Sequence, residues 1–392
     1  MRRIIDFLFL IFLLSFVSSQ ATTRQGGKGL IYVHSARVLE KGHLEFVAGT
    51  RFFGKIANFG SSKVAYTLWN VQGFSSFNYG ITPHIEFSFS PIFYQDTNSD
   101  GGNALDGQAN IPDDIFIGLK AGSFREIESP FIFGAILYTR IPAAKQHNII
   151  YEPYSAGTIE VGLKGIASYY SNPTFLDEGW SVHCNIGYLN HNDVGTKLTG
   201  NPDDVRPGAM SAELLFGIGI RYPAGTFDFS SEINARYFIT PPPETAYSRE
   251  YVSYLTAGVY YMPYPWITFQ MGIDIKLISE KDISQYVPDT SLDPPPEKFP
   301  NYPTWRGVLG VRMAILPFGL YSSESARLRR EAEDRRKILE KMLKEQKDTN
   351  SAESELQKIR ASRKKLEEEL ERIRKLLEQE GSKKKGKKKK KK

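Results

Sequence analysis

The sequence holds a single cysteine, Cys184, among its 392 residues. A lone thiol cannot close an intrachain bridge, which excludes a disulfide-stapled scaffold. The six histidines offer no pair at metal-ligand spacing on one face. His183 and Cys184 are neighbours in an alternating segment, so they point to opposite faces and make no catalytic dyad. Gly217 and Gly219 flank Ile218 inside a strand-like run, with no following helix to cradle a phosphate. Nothing nominates a nucleophile, and the chain reads as a non-enzyme with no cofactor. After Tyr321 there is no Phe, Trp, Tyr or Pro, and the only glycines are Gly381 and Gly386. The chain before that point is full of all five, so the architecture changes there from sheet-like to helical.

Long apolar runs are also missing, apart from Ile4 to Val17. Arg2 and Arg3 precede that run and small residues follow it, the pattern of an export signal cleaved after Ser19 or Ala21. It is too short for a membrane-anchoring helix, which needs about 20 apolar residues. The expected organisation is a signal peptide over 1–21, a periplasmic lead-in over 22–42, a barrel over 43–318, a helical segment over 322–380 and a lysine tail over 381–392. Charge divides at the same boundary. Residues 322–392 hold 26 Lys+Arg against 15 Asp+Glu, which leaves 24 against 29 in residues 1–321.

What the body does have is a period of two. Phe227, Phe229, Ile233 and Tyr237 alternate with Asp228, Ser230, Glu232, Asn234 and Arg236. Ile267, Phe269, Met271, Ile273, Ile275 and Leu277 alternate with Thr268, Gln270, Asp274 and Lys276. Such strands carry one apolar and one polar face. About twelve segments of this kind are expected, many of ten residues or more, the length a tilted strand needs to cross a bilayer. Short connections at Thr82–His84, Pro223–Thr226 and Pro263–Pro265 alternate with long polar ones at 96–112, 141–156, 191–208, 240–249 and 279–303. Short turns on one side and long loops on the other fit a closed membrane barrel, and an even strand count returns both ends to the starting side.

The stretches "YGITPHIEFSFSPIFY", residues 79–94, and "WRGVLGVRMAILPF", residues 305–318, carry a resemblance to bacterial outer-membrane β-barrel proteins. The likeness is one of general porin-like architecture over roughly residues 28–321. It implies a mainly β fold, a transmembrane antiparallel β-barrel in outer-membrane lipid, and no particular substrate.

With the apolar face toward lipid, the opposite face lines the lumen. There the pattern puts Glu232, Arg236, Asp274, Lys276, Arg306 and Arg312, a mixture of signs that suits either self-satisfying ion pairs or a pore with charge-biased passage. Two functions stay open: a channel, or a non-conducting scaffold that binds ligands through its long outer loops. Residues 96–101, D-T-N-S-D-G, match the first half of a calcium loop, with Asp96, Asn98 and Asp100 as ligands. The twelfth position is Gly107, which lacks the bidentate carboxylate, and an ordinary polar turn is the plainer reading of the same residues.

The tail has helical composition. Leu356, Leu370 and Leu377 fall on one heptad position and Ile359, Leu366 and Ile373 on the other, a coiled-coil-like seam that offers a route to a homo-oligomer. Asp348 to Ser351 interrupts the helical pattern, and Asn350 can cap a second helix, so one rod and a hairpin both fit. Lys383, Lys384, Lys385, Lys387, Lys388, Lys389, Lys390, Lys391 and Lys392 end the chain. For an exported protein whose C-terminus is periplasmic, nucleic acid is excluded. The expected anionic partner is peptidoglycan or the surface of the inner membrane.

Overall fold

The computed structural model describes residues 23–58, 65–99, 108–126, 129–198, 206–279, 301–316 and 353–372, with seven further residues from 335 to 349. The signal segment, Asp100, Asn350 and the terminal lysines lie outside the described residues. By contact the chain divides into two units, Met1–Ser322 and Ser323–Lys392.

The first unit is a closed antiparallel barrel. Its strands are β1 (Leu44–Asn58), β2 (Ala65–Thr82), β3 (Ile85–Ser99), β4 (Gln108–Asn110), β5 (Ile115–Phe124), β6 (Phe131–Ile141) and β7 (Glu160–Tyr170). They continue with β8 (Ser181–Asn190), β9 (Ala212–Ala224), β10 (Phe227–Thr240), β11 (Val252–Tyr264), β12 (Ile267–Ser279) and β13 (Trp305–Leu316). Apart from β4, which pairs with β3 alone, each pairs antiparallel with the strands before and after it, β5 taking β3 as the strand before, and β13 closes on β1 through Leu44↔Leu316 to Phe52↔Gly307. The three-residue β4 and the longer β5 both lie along β3, so they form one interrupted stave and the barrel has twelve. Closure matters because lipid offers no partner for an unpaired backbone group.

The alternation of burial is inverted relative to a soluble protein. Along β10 Phe227, Phe229, Ser231 and Ile233 are exposed, while Asp228, Ser230 and Glu232 are buried. The same inversion runs along β7, where Val161 and Leu163 face out and Glu160 and Lys164 face in. Water would not tolerate an outer surface built of Phe, Ile, Leu and Met; a hydrocarbon solvent requires one. Aromatic rings gather at the short-turn end, where Tyr264 stacks on Trp266 and Tyr169 packs on Trp180. That is the headgroup level, which suits amphipathic rings.

Connections at that end are brief. Residues 225–226 join β9 to β10, with Gly225 at φ +71°, a conformation that glycine adopts without a Cβ penalty. Residues 83–84 and 265–266 are equally short, and Pro263 belongs to β11. At the other end the expected loop 96–112 is shorter than its sequence suggests. β3 continues to Ser99 because β2 extends alongside it, pairing Leu68 with Ser99, and Gln108–Asn110 pairs back on β3.

Within the second unit residues 353–372 are helical. Arg363 and Glu367 pair at 3.2 Å one turn apart. Leu356, Ile359, Leu366 and Leu370, the seam residues among those described, are all more than half exposed in the single chain.

Candidate functional site

The inner wall carries the polar residues that the alternation picks out. Asp274, Arg306 and Arg312 are buried and Arg236 is partly so, each held by a neighbour on the wall. Arg312 pairs with Glu45 at 2.7 Å and donates to Thr268 at 2.9 Å. Arg306 pairs with Asp274 at 3.0 Å and Arg236 with Glu213 at 2.6 Å. Lys276 instead donates to the carbonyl of Tyr302 at 3.2 Å.

Glu232 does something different. Its carboxylate accepts the backbone N–H groups of Ile31 (2.8 Å), Tyr32 (2.9 Å) and Val33 (2.8 Å). Those residues belong to the segment expected to be a periplasmic lead-in. The structure corrects that expectation: residues 23–39 occupy the lumen as a plug. A bridge between Gly29 and His34 folds the segment into a small hairpin. Gly27 donates to Asn78 on β2 at 2.7 Å. Lys28 and Leu39 donate to Glu86 on β3, at 3.1 and 2.7 Å, and Lys120 on β5 donates to the Lys28 carbonyl at 2.8 Å. Ala36 donates to Ser168 on β7, and His34 exchanges two hydrogen bonds with the Asn185 side chain on β8, all at 2.8 Å. The Tyr32 hydroxyl donates to Asp274 on β12 at 2.7 Å. The segment has no sheet of its own, so the wall's side chains satisfy its backbone instead.

Shape agrees with chemistry. Ile31 is fully buried against Val47, Phe74, Ile92, Tyr260 and Val308, an apolar patch on the wall, and Ala36 sits against a second one of Ile132, Ile136, Ile166 and Tyr170. Glycines make the room. A Cβ on Gly272 would lie 2.4 Å from the Ile31 side chain and one on Gly219 2.6 Å from Leu30. At Gly80 and Gly122 it would meet the backbone carbonyls of Glu40 and Ala36 at 2.1 and 2.3 Å. Gly219, which has no phosphate-binding context in sequence, is therefore a seat for the plug. The available signal was this set of inward-facing glycines, together with the run Leu30, Ile31 and Val33, which alternates with nothing.

At the far end, loops fold inward over the plug. Tyr154, Ala156, Leu198 and Ala246 pack with Phe238 of the wall, and Tyr151 packs with Phe53 and Leu68. Arg51 and Glu152 tie wall to loop at 2.8 Å. His191, just beyond β8, lies 3.1 Å from Glu160 and 3.3 Å from Glu213. Burial opposes its protonation, but the two carboxylates outweigh burial and raise its pKa to about 9. Between plug and loops is a cavity of about 180 Å³.

Of the calcium trio, Asp96 lies on β3, where it accepts hydrogen bonds from Trp69 (3.3 Å) and Tyr94 (3.2 Å). Asn98 follows on the same strand, and Asp100 is outside the described residues. Among the described residues no three His, Cys, Asp or Glu side chains converge as a metal site.

No protein-family model matches the chain, and no curated protein matches it. Solved barrels do. An outer membrane channel from Pseudomonas putida F1 is 13% identical with a TM-score of 0.46, over 71% of this chain and 98% of that one. The NanC porin is 9% identical with a TM-score of 0.43, over 69% of this chain and all of its own length. The toluene transporter TbuX from Ralstonia pickettii is 12% identical with a TM-score of 0.31, over 71% of this chain and 90% of that one. At such identities the likeness is one of barrel architecture and nothing finer.

The Glu232 anchor has a measurable consequence. Three hydrogen bonds to one carboxylate contribute on the order of 3 kcal/mol together. Glu232→Ala should therefore speed hydrogen exchange at the Ile31, Tyr32 and Val33 amides about 100-fold, with the β9 and β10 strand amides unchanged. Equal protection in the variant would show that the plug is held by its apolar contacts alone.

Proposed function

We propose that the protein is a channel of the bacterial outer membrane whose passage is shut by residues 23–39. The observation that carries this reading is the plug itself, a separate stretch of chain in a lumen whose wall has glycines where it sits. A barrel built only as a scaffold can fill its interior with wall side chains. Here the wall is small where the plug sits, at Gly80, Gly122, Gly219 and Gly272, so withdrawing the plug uncovers a hydrated path lined by paired charges. The non-conducting reading draws on the same occupied lumen and on the loops that fold inward among the described residues.

Single-channel recording in planar bilayers separates the two. The double variant Glu86→Ala/Glu232→Ala removes both carboxylates that hold the plug's backbone. It should conduct in larger and more frequent steps than the parent chain. Silent bilayers from a correctly folded variant would favour the scaffold.

In this reading the short-turn end and the C-terminal unit face the periplasm, and the helical segment with its lysine tail tethers the barrel to the cell envelope. Near an anionic surface each of the nine lysines between Lys383 and Lys392 contributes about 1 kcal/mol, within a Debye length. Co-sedimentation with peptidoglycan or anionic vesicles should fall steeply with salt and be lost when residues 382–392 are deleted. Undiminished co-sedimentation of the truncated chain would remove the lysines as anchor.

A further inference from the structure

We propose that the chamber between plug and loops binds a small organic anion with a flat apolar body, the chemistry of an aromatic carboxylate. The balance of charge around the chamber is the first reason. Of the five arginines that line it, four have their own carboxylate: Arg51 with Glu152, Arg140 with Asp114, Arg236 with Glu213 and Arg306 with Asp274. Glu160 lines it too, and is held by His191 at 3.1 Å and Arg140 at 3.6 Å. Two further cations line it with no carboxylate in salt-bridge contact among the described residues. Arg24, on the plug, reaches the Gln72 side chain and the face of Phe74, and shares the field of Glu152 with Arg51 without touching it. Lys164, on β7, reaches only the amide oxygen of Gln25 at 3.3 Å and the ring of Tyr138 at 4.8 Å.

Lys164 is 9% exposed, so bulk water does little to solvate its charge. A buried cation met only by an amide and a ring leaves a place for a negative partner. The side-chain amide nitrogen of Asn234, which also lines the chamber, is buried with no hydrogen-bond acceptor. It is a second donor awaiting an oxygen.

The walls supply the apolar half. Ile31, Phe116, Tyr138 and Tyr254 line the same space. Its volume of about 180 Å³ is close to the roughly 150 Å³ cavity that holds a benzene-sized ring. A carboxylate carried on one ring matches both the charge and the size. A larger polyanion does not fit, and a bare inorganic anion leaves the aromatic surface unused.

This site needs the barrel and its plug but not conduction, so it can be tested on the full-length protein in detergent whatever the bilayers report. Calorimetric titration with sodium benzoate should give saturable binding. Benzyl alcohol, which keeps the ring, and acetate, which keeps the charge, should each bind at least tenfold more weakly. Lys164→Gln should weaken benzoate at least tenfold, and Lys164→Arg should retain it. Arg24→Gln lies on the plug rather than on a barrel strand, so it repeats the test with the barrel sequence intact. It should weaken benzoate in the same direction. The proposal is overturned by an absence of benzoate binding to the parent chain, by benzyl alcohol binding as tightly as benzoate, or by unchanged affinity in both neutralised variants.

Discussion

Three consecutive amides of an irregular segment end on one carboxylate, and much of the interior follows from that. A backbone turned away from sheet or helix still has donors to satisfy, and inside a barrel no neighbouring strand is free to accept them. Glu232 takes the amides of Ile31, Tyr32 and Val33 in the hairpin, while Glu86 takes those of Lys28 before it and Leu39 after it. The wall thus does for the plug what strand neighbours do for each other. The inward polar residues are of two kinds. Arg312, Arg306 and Arg236 neutralise wall carboxylates, whereas Glu86, Asn185, Ser168 and Glu232 hold a guest.

The same arrangement explains why the lumen accepts apolar residues. Ile31 and Leu30 enter a space bordered by charge, yet each meets glycine or aliphatic surface at its own contact. Substituting those glycines narrows the seat without touching the lipid-facing belt. Outside and inside are therefore separable designs on one set of strands, joined only by the alternation that sends neighbouring side chains opposite ways.

The barrel was legible because its signal is repeated in every stave. Phe229 and Ile233 against Glu232, or Leu163 against Lys164, state the rule many times over, and the twelve staves follow. β3 runs past its expected end because pairing with β2, rather than its own composition, carries Asp96 and Thr97 into the sheet. The plug was not legible. Its partners lie on strands across the whole barrel, with about 200 residues between Ile31 and Glu232, and no local period marks it. The chamber cations were equally hidden. Lys164 reads as one more inward charge until the wall is closed and no carboxylate among the described residues pairs with it.

The account stands or falls on whether residues 23–39 occupy the lumen in the membrane. The most direct measurement is a cross-link between plug and wall. A Cβ on Gly217 would sit 3.1 Å from the Val33 side chain, so Val33→Cys with Gly217→Cys places two thiols within bonding reach. The exposed Cys184 is first replaced by serine to remove competition. Mild oxidation of outer membranes followed by proteolysis and mass spectrometry should recover a disulfide-linked peptide pair from within one chain. A plug that lies elsewhere would leave both thiols free, even as the register partners Ser168→Cys and His183→Cys couple readily on the wall. That result would contradict the plugged lumen.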